Sequence, residues 1–152
     1  MTTAFGKVIL LGEHAVVHGI PAIAVGIDRG AQASATPVAS GPSRLSVTTW
    51  GIEVASDGDK DLSRALAALA RASDGGPHHV EASADLPPGA GLGCSAALGV
   101  AIARALDPLA DDHTIINRTM AWERVFHGNP SGVDASVAAT GGCPNTRLRG
   151  SR

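Results

Sequence analysis

A glycine-rich segment between two regular elements constrains the fold of this chain more than any other feature. It reads PPGAGLGCS from Pro87 to Ser95. His79 to Ala84 alternate as in a β-strand, and Ser95 to Leu106 are rich in Ala, Leu, Val and Ile as in a buried helix. The unpaired N–H groups that begin such a helix favour an anion, and glycines let the backbone approach it closely. The pattern predicts a phosphate-binding loop, with a tight strand-to-helix turn as the alternative.

Two other nucleotide-binding motifs can be tested on the same segment. A P-loop requires Lys followed by Ser or Thr after its last glycine, and a cysteine stands there instead, which excludes that motif. Gly91, Gly93 and Ala96 do match the G-x-G-x-x-A dinucleotide pattern. That pattern also requires an acidic residue after a second strand, about 20 residues later. The acidic pair at 111–112 instead precedes a helical pattern, so the dinucleotide site is the weaker alternative.

The remaining periodicities predict a single domain of the α+β class. The chain has 152 residues, which suits one hydrophobic core. Strands are predicted at Lys7–Leu11, Pro21–Ile27, Gln32–Pro37, Leu45–Thr49 and His79–Ala84, and helices at Leu62–Ala70, Ser95–Leu106, His113–Phe126 and Ser131–Ala139. The first third of the chain is therefore expected to be mostly β-structure.

Composition argues against several classes of protein. Hydrophobic residues make up 44% and charged residues 17%, which is typical of a folded domain and not of a disordered chain. The net charge is -2, and no cluster of Lys and Arg precedes the C-terminal residues, so we expect no nucleic-acid partner. No apolar run is long enough for a membrane span, and Met1 to Gly6 lacks the pattern of a secretory signal. We expect a cytoplasmic protein.

A second candidate segment, Gly6 to Gly19, places a lysine at the start of an apolar strand and an acid–imidazole pair beyond its end. Lys7 is one of only two lysines in the chain, which suggests a point charge with a specific task; a solvated strand-end cation is the alternative. His14 and His18 are four residues apart, as in zinc helices. Ala15 stands where the H-E-x-x-H motif has glutamate, which excludes a metalloprotease.

A third candidate segment, Glu123 to Asp134, combines an acid on a helix, a Gly-Asn-Pro-Ser-Gly turn and an acid that begins another helix. Such a turn aims the side chains that flank it at a shared point. Each carboxylate by itself is more typical of a solvated surface than of catalysis. A catalytic role therefore requires that this segment converge with the other two.

Taken together, the three segments resemble one known family. GKVILLGEHAVVHG, LPPGAGLGCSAA and ERVFHGNPSGVDASV occur in that order, and they are similar to the amino-terminal motifs of mevalonate kinases. These enzymes belong to the galactokinase, homoserine kinase, mevalonate kinase and phosphomevalonate kinase (GHMP) superfamily. The resemblance implies an α+β amino-terminal domain of the ribosomal protein S5 domain 2-like type at residues 1–142, followed by an atypical tail at residues 143–152.

The same resemblance implies an activity and a set of site residues. The activity is ATP-dependent phosphorylation of the 5-hydroxyl of mevalonate, which gives 5-phosphomevalonate and ADP for isoprenoid precursor synthesis. By motif position, Asp134 resembles the residue that accepts or orients the hydroxyl proton, Lys7 its cationic neighbour, and Ser95 and Glu123 the Mg²⁺ ligands. The residues expected to hold ATP are Pro88, Gly89, Ala90, Gly91, Leu92, Gly93, Cys94, Ser95 and Ala96, and those expected to shape the mevalonate pocket are Glu13, His14 and Ser131.

Two other functions stay open as alternatives. One is a noncatalytic module that binds a nucleotide or pairs with a separately encoded half of a kinase. The other is a sister kinase that acts on another alcohol, such as phosphomevalonate.

The sequence also departs from the family pattern. The family has a carboxy-terminal domain with another glycine-rich motif. CPNTRLRGSR at residues 143–152 does not continue that pattern and resembles an out-of-frame or truncated end. We therefore expect the chain by itself to hold half an active site, to turn over poorly, and to self-associate or dimerise through an exposed interdomain face. Cys94 stands where the family usually has serine. A neutral small-residue replacement is favoured there over a reactive, unusually acidic thiol.

Overall fold

The computed structural model describes residues 1–12 and 23–141, which form one five-stranded sheet with helices packed against it. The strands are β1 (Thr2–Leu11), β2 (Ile23–Pro37), β3 (Arg44–Val47), β4 (Ile52–Ala55) and β5 (His78–Ala84), and the helices are α1 (Asp61–Ala72), α2 (Cys94–Leu106), α3 (Asp112–His127) and α4 (Val133–Thr140). A 3₁₀ turn at Thr48–Trp50 follows β3. The order across the sheet is β1-β2-β5-β3-β4, with β3 and β5 parallel and the other neighbours antiparallel.

The structure confirms the α+β prediction and corrects several details of the strands. Strand β1 begins at Thr2 and not at Lys7, and residues 48–49 lie in the 3₁₀ turn and not in β3. All four predicted helices are present, each within two residues of its predicted bounds. Residues 23–27 and 32–37, from two separately predicted strands, both belong to the single long strand β2, and β4 was not predicted. Among the described residues, no helix is both long and apolar enough to cross a membrane.

A bulge in β2 explains why one strand looked like two. Phe5 of β1 pairs with Gly30, whereas the next residue of β1 pairs with Ile27, so residues 28–29 fall outside the ladder. The Gly30 amide donates a hydrogen bond to the Asp85 carboxylate at 2.5 Å, and the Gly30 carbonyl accepts one from the Asp85 amide at 3.0 Å. The strand therefore continues through a sequence that looks like a turn.

The core is built from small and aliphatic side chains, as the aromatic content of 3% implies. Helix α2 lies at its centre and contacts β1, β2, β5, α3 and α4. The strands beneath it contribute buried alanines, among them Ala31, Ala33, Ala82 and Ala84. Short side chains allow a helix to lie close to a sheet at native packing density. The first turn of α2, and the glycine-rich loop before it, are thereby held beside β1.

We expect Gly30→Ala to destabilise the fold by about 3 kcal/mol, the upper end of the usual cost of overpacking. An added Cβ would lie 1.9 Å from the carbonyl oxygen of Ala4, which is backbone of the neighbouring strand. Gly76→Ala is the matched control, because nothing lies within 4 Å of a Cβ added there. Urea unfolding of the two variants gives the comparison, and equal stabilities would contradict the bulge geometry.

We also expect the chain to self-associate through aliphatic side chains exposed at one end of the β1–β2 pair, namely Leu10, Leu11 and Ile23. Exposed apolar clusters of this kind are typical of interaction surfaces. Light scattering over a range of concentrations should show a larger particle for the unchanged chain than for Leu10→Gln/Leu11→Gln. Leu109→Gln, at an exposed position between α2 and α3, should behave like the unchanged chain. A monodisperse monomer at every concentration would refute this prediction.

Candidate active site

The three predicted motifs converge on one site. The Nζ atom of Lys7 lies 3.3 Å from Oδ1 of Asp134, which joins β1 to the first turn of α4. The Ser95 hydroxyl donates a hydrogen bond of 2.5 Å to Oε1 of Glu123, which joins the first turn of α2 to α3. Four residues predicted from separate segments are therefore close enough in space to act together.

The glycine-rich loop is held against β1 by the backbone of Lys7. The Lys7 amide donates a hydrogen bond to the Leu92 carbonyl at 2.9 Å. Gly89, Gly91 and Gly93 have φ angles of 77°, 73° and 72°, in the left-handed region that favours glycine. A Cβ on Gly93 would also lie 2.8 Å from Cγ of Lys7. This last glycine therefore provides room for the lysine side chain as well as the loop conformation.

Lys7 and Asp134 form an asymmetric ion pair. Lys7 is only 5% exposed, whereas the Asp134 side chain is 34% exposed. A buried ammonium group requires a counter-charge, and Asp134 provides it. The alternative of a solvated strand-end cation is therefore wrong for Lys7. The carboxylate has one side toward the buried cation and another open to a ligand.

Glu123 is a buried carboxylate and not a surface one. Burial raises the pKa of Glu123 above its usual value, and the charge of Asp134 raises it further. The hydrogen bond from Ser95 and the charges of His127 and Lys7 lower it, and burial prevails. His127 lies on the same helix as Glu123, four residues later, and its Nε2 is 3.7 Å from Oε2 of Glu123.

Two cavities meet at these charged side chains. One, of about 130 Å³, is lined by the glycine-rich loop and the first turn of α2. The other, of about 250 Å³, is lined by the turn at residues 129–132 together with Ile9, Met120 and Ala135. The residues that line both are Lys7, Glu123, His127 and Asp134. An anion in the first cavity and a small molecule in the second would meet at the Lys7–Asp134 pair.

Comparison with known proteins assigns the family. Residues 61–142, more than half of the chain, match the family model described as the GHMP kinases N terminal domain. The chain belongs to the GHMP kinase family. The match spans α1 to α4, and so includes the glycine-rich loop, Glu123 and Asp134.

Several known proteins similar to this GHMP kinase domain are named mevalonate kinase. It is 32% identical to the mevalonate kinase of Homo sapiens, over 93% of this chain and 52% of that protein. It is 35% identical to the mevalonate kinase of Aeropyrum pernix, over 92% of this chain and 48% of that protein. The crystal structure of L. major mevalonate kinase in complex with R-mevalonate has a TM-score of 0.70 at 25% identity, covering 91% of this chain and 46% of that one. The GHMP kinase domain thus spans about half the length of the curated relatives it matches.

The predicted ligand-binding residues of the GHMP kinase domain fall into three groups. Gly89 to Ala96 all line the smaller cavity, whereas Pro88 precedes its wall. Ser131 lines the larger cavity. Glu13 and His14 lie outside the described residues.

The surroundings of Cys94 differ from those of a reactive thiol. Its side chain is buried, and Sγ donates a hydrogen bond to the Leu86 carbonyl at 3.4 Å. Burial raises the pKa of the Cys94 thiol, and the charge of Asp85 raises it further. The alternative of an unusually acidic cysteine is therefore wrong, and the burial agrees with a small-residue replacement.

Sequence reasoning missed two residues of the site. His127 lines both cavities, and its signal was its position four residues after Glu123, which puts the two on one helix face. Trp122 is buried, and its indole N–H donates a hydrogen bond to the Ser95 carbonyl at 3.1 Å. That contact depends on the packing of α3 on α2, which no local pattern reveals.

The donor set at Ser95 and Glu123 fits Mg²⁺ only if phosphate completes it. Within residues 1–12 and 23–141, no group of three or more His, Cys, Asp or Glu side chains is arranged to hold a metal ion. Mg²⁺ is commonly held by one or two carboxylates together with substrate phosphates and water. A hydroxyl and a carboxylate next to the glycine-rich loop match that kind of site.

A larger cavity of about 370 Å³ lies elsewhere, beside the β2 bulge, where Phe5, Arg29, Gln32 and Asp85 line it. Its size does not make it the active site. The glycine-rich loop, the buried lysine and the buried carboxylate all line the two smaller cavities, and the chemistry follows those groups.

We expect Glu123→Gln to stabilise the GHMP kinase domain at pH 8 and to have less effect at acidic pH. Because the folded-state pKa of Glu123 is raised, its contribution to stability is fully present below the unfolded-state pKa and is lost as the pH rises through the folded-state value. Glutamine has no proton to lose and keeps an oxygen that can accept the Ser95 hydrogen bond. Thermal unfolding between about pH 4 and pH 8 measures this effect.

Glu81→Gln is the matched control, since this glutamate is exposed on β5. Its difference from the unchanged domain should vary little across the same pH range. A stability difference for Glu123→Gln that stays constant with pH would contradict the raised pKa.

Proposed function

We propose that the protein containing this domain transfers the γ-phosphoryl group of ATP to the 5-hydroxyl of mevalonate. The observation that carries the proposal is the position of the Lys7–Asp134 pair, 3.3 Å apart, on the boundary between the loop cavity and the larger cavity. A phosphate donor in one cavity and an alcohol in the other would have their reacting atoms at this pair. Such positioning is the main requirement of phosphoryl transfer.

The partly exposed carboxylate of Asp134 accepts the proton of the attacking hydroxyl. The new bond joins the alcohol oxygen to the γ-phosphorus, the bond from that phosphorus to the ADP oxygen breaks, and the proton remains on Asp134. The buried ammonium of Lys7 stabilises the negative charge that develops on the attacking oxygen. Burial strengthens this interaction because little water screens it.

On the donor side, the glycine-rich loop and the first turn of α2 present backbone N–H groups to the phosphates. Ser95 and Glu123 would hold Mg²⁺ next to them, in keeping with their 2.5 Å contact. Mg²⁺, when bound, neutralises phosphate charge. The loop cavity of about 130 Å³ is much smaller than the roughly 300–1,000 Å³ of typical ligand sites, so it suits the phosphates and not a whole nucleotide. We propose that the base and ribose contact parts of the protein beyond the described residues.

Mevalonate is favoured as the alcohol for two reasons. The two curated relatives are both named mevalonate kinase, and the L. major structure contains R-mevalonate. The larger cavity also combines apolar walls with polar groups at Asn129 and Ser131, which suits a small branched hydroxy acid. Among the described residues, its basic groups are Lys7 and His127, opposite two carboxylates. That balance favours a singly charged carboxylate over a phosphorylated alcohol.

We expect Asp134→Asn and Lys7→Met each to lower kcat by about 10²- to 10⁴-fold, the usual contribution of a positioned acid–base group or charge stabiliser. The measurement is ADP release with Mg²⁺, ATP and mevalonate. Lys60→Met is the matched control for the lysine, because Lys60 is the only other lysine and is exposed. Asp57→Asn, at an exposed turn position, is the control for the aspartate. Full turnover by Asp134→Asn would refute its assignment as the base.

The same assay separates the alternatives when the alcohol is varied. Faster turnover of phosphomevalonate than of mevalonate would favour a sister kinase. Because the chain by itself is expected to turn over poorly, nucleotide binding without turnover fits both the kinase and the noncatalytic module. Co-purification with a separately encoded carboxy-terminal half, and recovery of turnover when that half is added, would favour a split kinase. Absence of both binding and turnover would contradict the whole proposal.

A further inference from the structure

Two neighbouring residues of α3 both reach the hydroxyl of Ser95. Glu123 accepts its hydrogen bond at 2.5 Å. The indole Nε1–H of Trp122 is shared between the Ser95 carbonyl at 3.1 Å and the Ser95 Oγ at 3.3 Å. Ser95 is therefore held between a donor and an acceptor that come from one helix.

The hydrogen-bonding capacity of these groups determines how the hydroxyl is oriented. An indole N–H can only donate, so it must meet a lone pair of Oγ and not its hydrogen. The hydroxyl hydrogen is then directed to Glu123. A hydroxyl oxygen has two lone pairs. With one facing Trp122, the other is left for a cation at the glycine-rich loop.

Packing prevents the indole from leaving this position. Trp122 is 1% exposed, and Gly99 of α2 leaves the space that its ring fills. A Cβ on Gly99 would lie 2.8 Å from Cδ1 of Trp122 and 3.0 Å from the methyl group of Thr119. The Phe126 ring packs on the indole with centroids 5.7 Å apart and planes tilted by 56°. The direction of the N–H is thus determined by the α2–α3 interface.

We propose that Trp122 is a positioning residue for the phosphate site: it orients the Ser95 hydroxyl so that one lone pair faces the Mg²⁺·nucleotide. This role rests on the proposed function. A substitution separates this orienting role from a packing role. Phenylalanine at position 122 would retain much of the ring volume and remove only the N–H donor and part of the indole. Loss of the donor leaves only the hydrogen bond to Glu123 to orient the hydroxyl, and the metal-bound nucleotide should then bind less tightly.

The test is a double-mutant cycle with Trp122→Phe, Ser95→Ala and the two combined. Calorimetry measures binding of the nonhydrolysable nucleotide AMP-PNP, with Mg²⁺ and with Mg²⁺ removed by EDTA. Trp122→Phe should weaken Mg²⁺-dependent binding about threefold to tenfold, the equivalent of one net hydrogen bond, and leave Mg²⁺-free binding unchanged. In the Ser95→Ala background it should have no further effect. Trp50→Phe, at the only other tryptophan, is the matched control and should change neither affinity.

A second measurement does not depend on the folding of Trp122→Phe or on nucleotide binding. The two indole N–H signals in a ¹⁵N-edited NMR spectrum report their own hydrogen bonds. Ser95→Ala should move the Trp122 signal and leave the Trp50 signal in place. If the unchanged chain fails to bind Mg²⁺·AMP-PNP, the proposed function fails for this chain, and the indole signal still decides the Trp122–Ser95 interaction.

Two results would overturn the proposal. One is an equal loss of affinity from Trp122→Phe with and without Ser95, because the tryptophan would then act through packing only. The other is a Trp122 indole signal that does not respond to Ser95→Ala.

Discussion

The burial of the Lys7 side chain is the constraint on which the rest of the site depends. Its ammonium group lies out of water and requires the carboxylate of Asp134. Its aliphatic stem passes where a side chain on Gly93 would otherwise be, and its backbone amide holds the Leu92 carbonyl. One residue therefore joins β1, the glycine-rich loop and α4. None of the three can be displaced without leaving a charge or a backbone group unpaired.

Glu123 differs from Lys7 because the burial of its carboxylate costs stability. Whereas Lys7 is neutralised by a partner, burial raises the pKa of Glu123 even though Ser95 donates a short hydrogen bond to it. The negative charge of a carboxylate buried in this way is poorly balanced until a cation binds next to it. Natural proteins accept such local destabilisation where a ligand supplies the missing charge. The alanine-rich packing of α2 on the sheet provides the rigid support for it.

The sequence was informative where local pattern and residue type were sufficient. Periodicity located all four helices, and the resemblance of the three motifs to a known family implied that Lys7, Ser95, Glu123 and Asp134 would meet. It was uninformative where the local structure depends on residues far away in the chain. The β2 bulge depends on Asp85, which bonds the Gly30 backbone from 55 positions away in the chain. The position of Trp122 likewise depends on the space beside Gly99, on another helix.

The outer side of β1 has a further consequence. Within the sheet formed by residues 1–12 and 23–141, β1 is the first strand and pairs with β2 on one side only. Its outward backbone groups resemble those on which other chains can add a strand. Two are already occupied: the Lys7 amide bonds to Leu92, and the Thr3 carbonyl accepts a hydrogen bond of 2.8 Å from the Arg104 guanidinium. The glycine-rich loop therefore also interrupts a free sheet edge. A loss of order in that loop would expose a template for intermolecular β-pairing as well as remove a binding site.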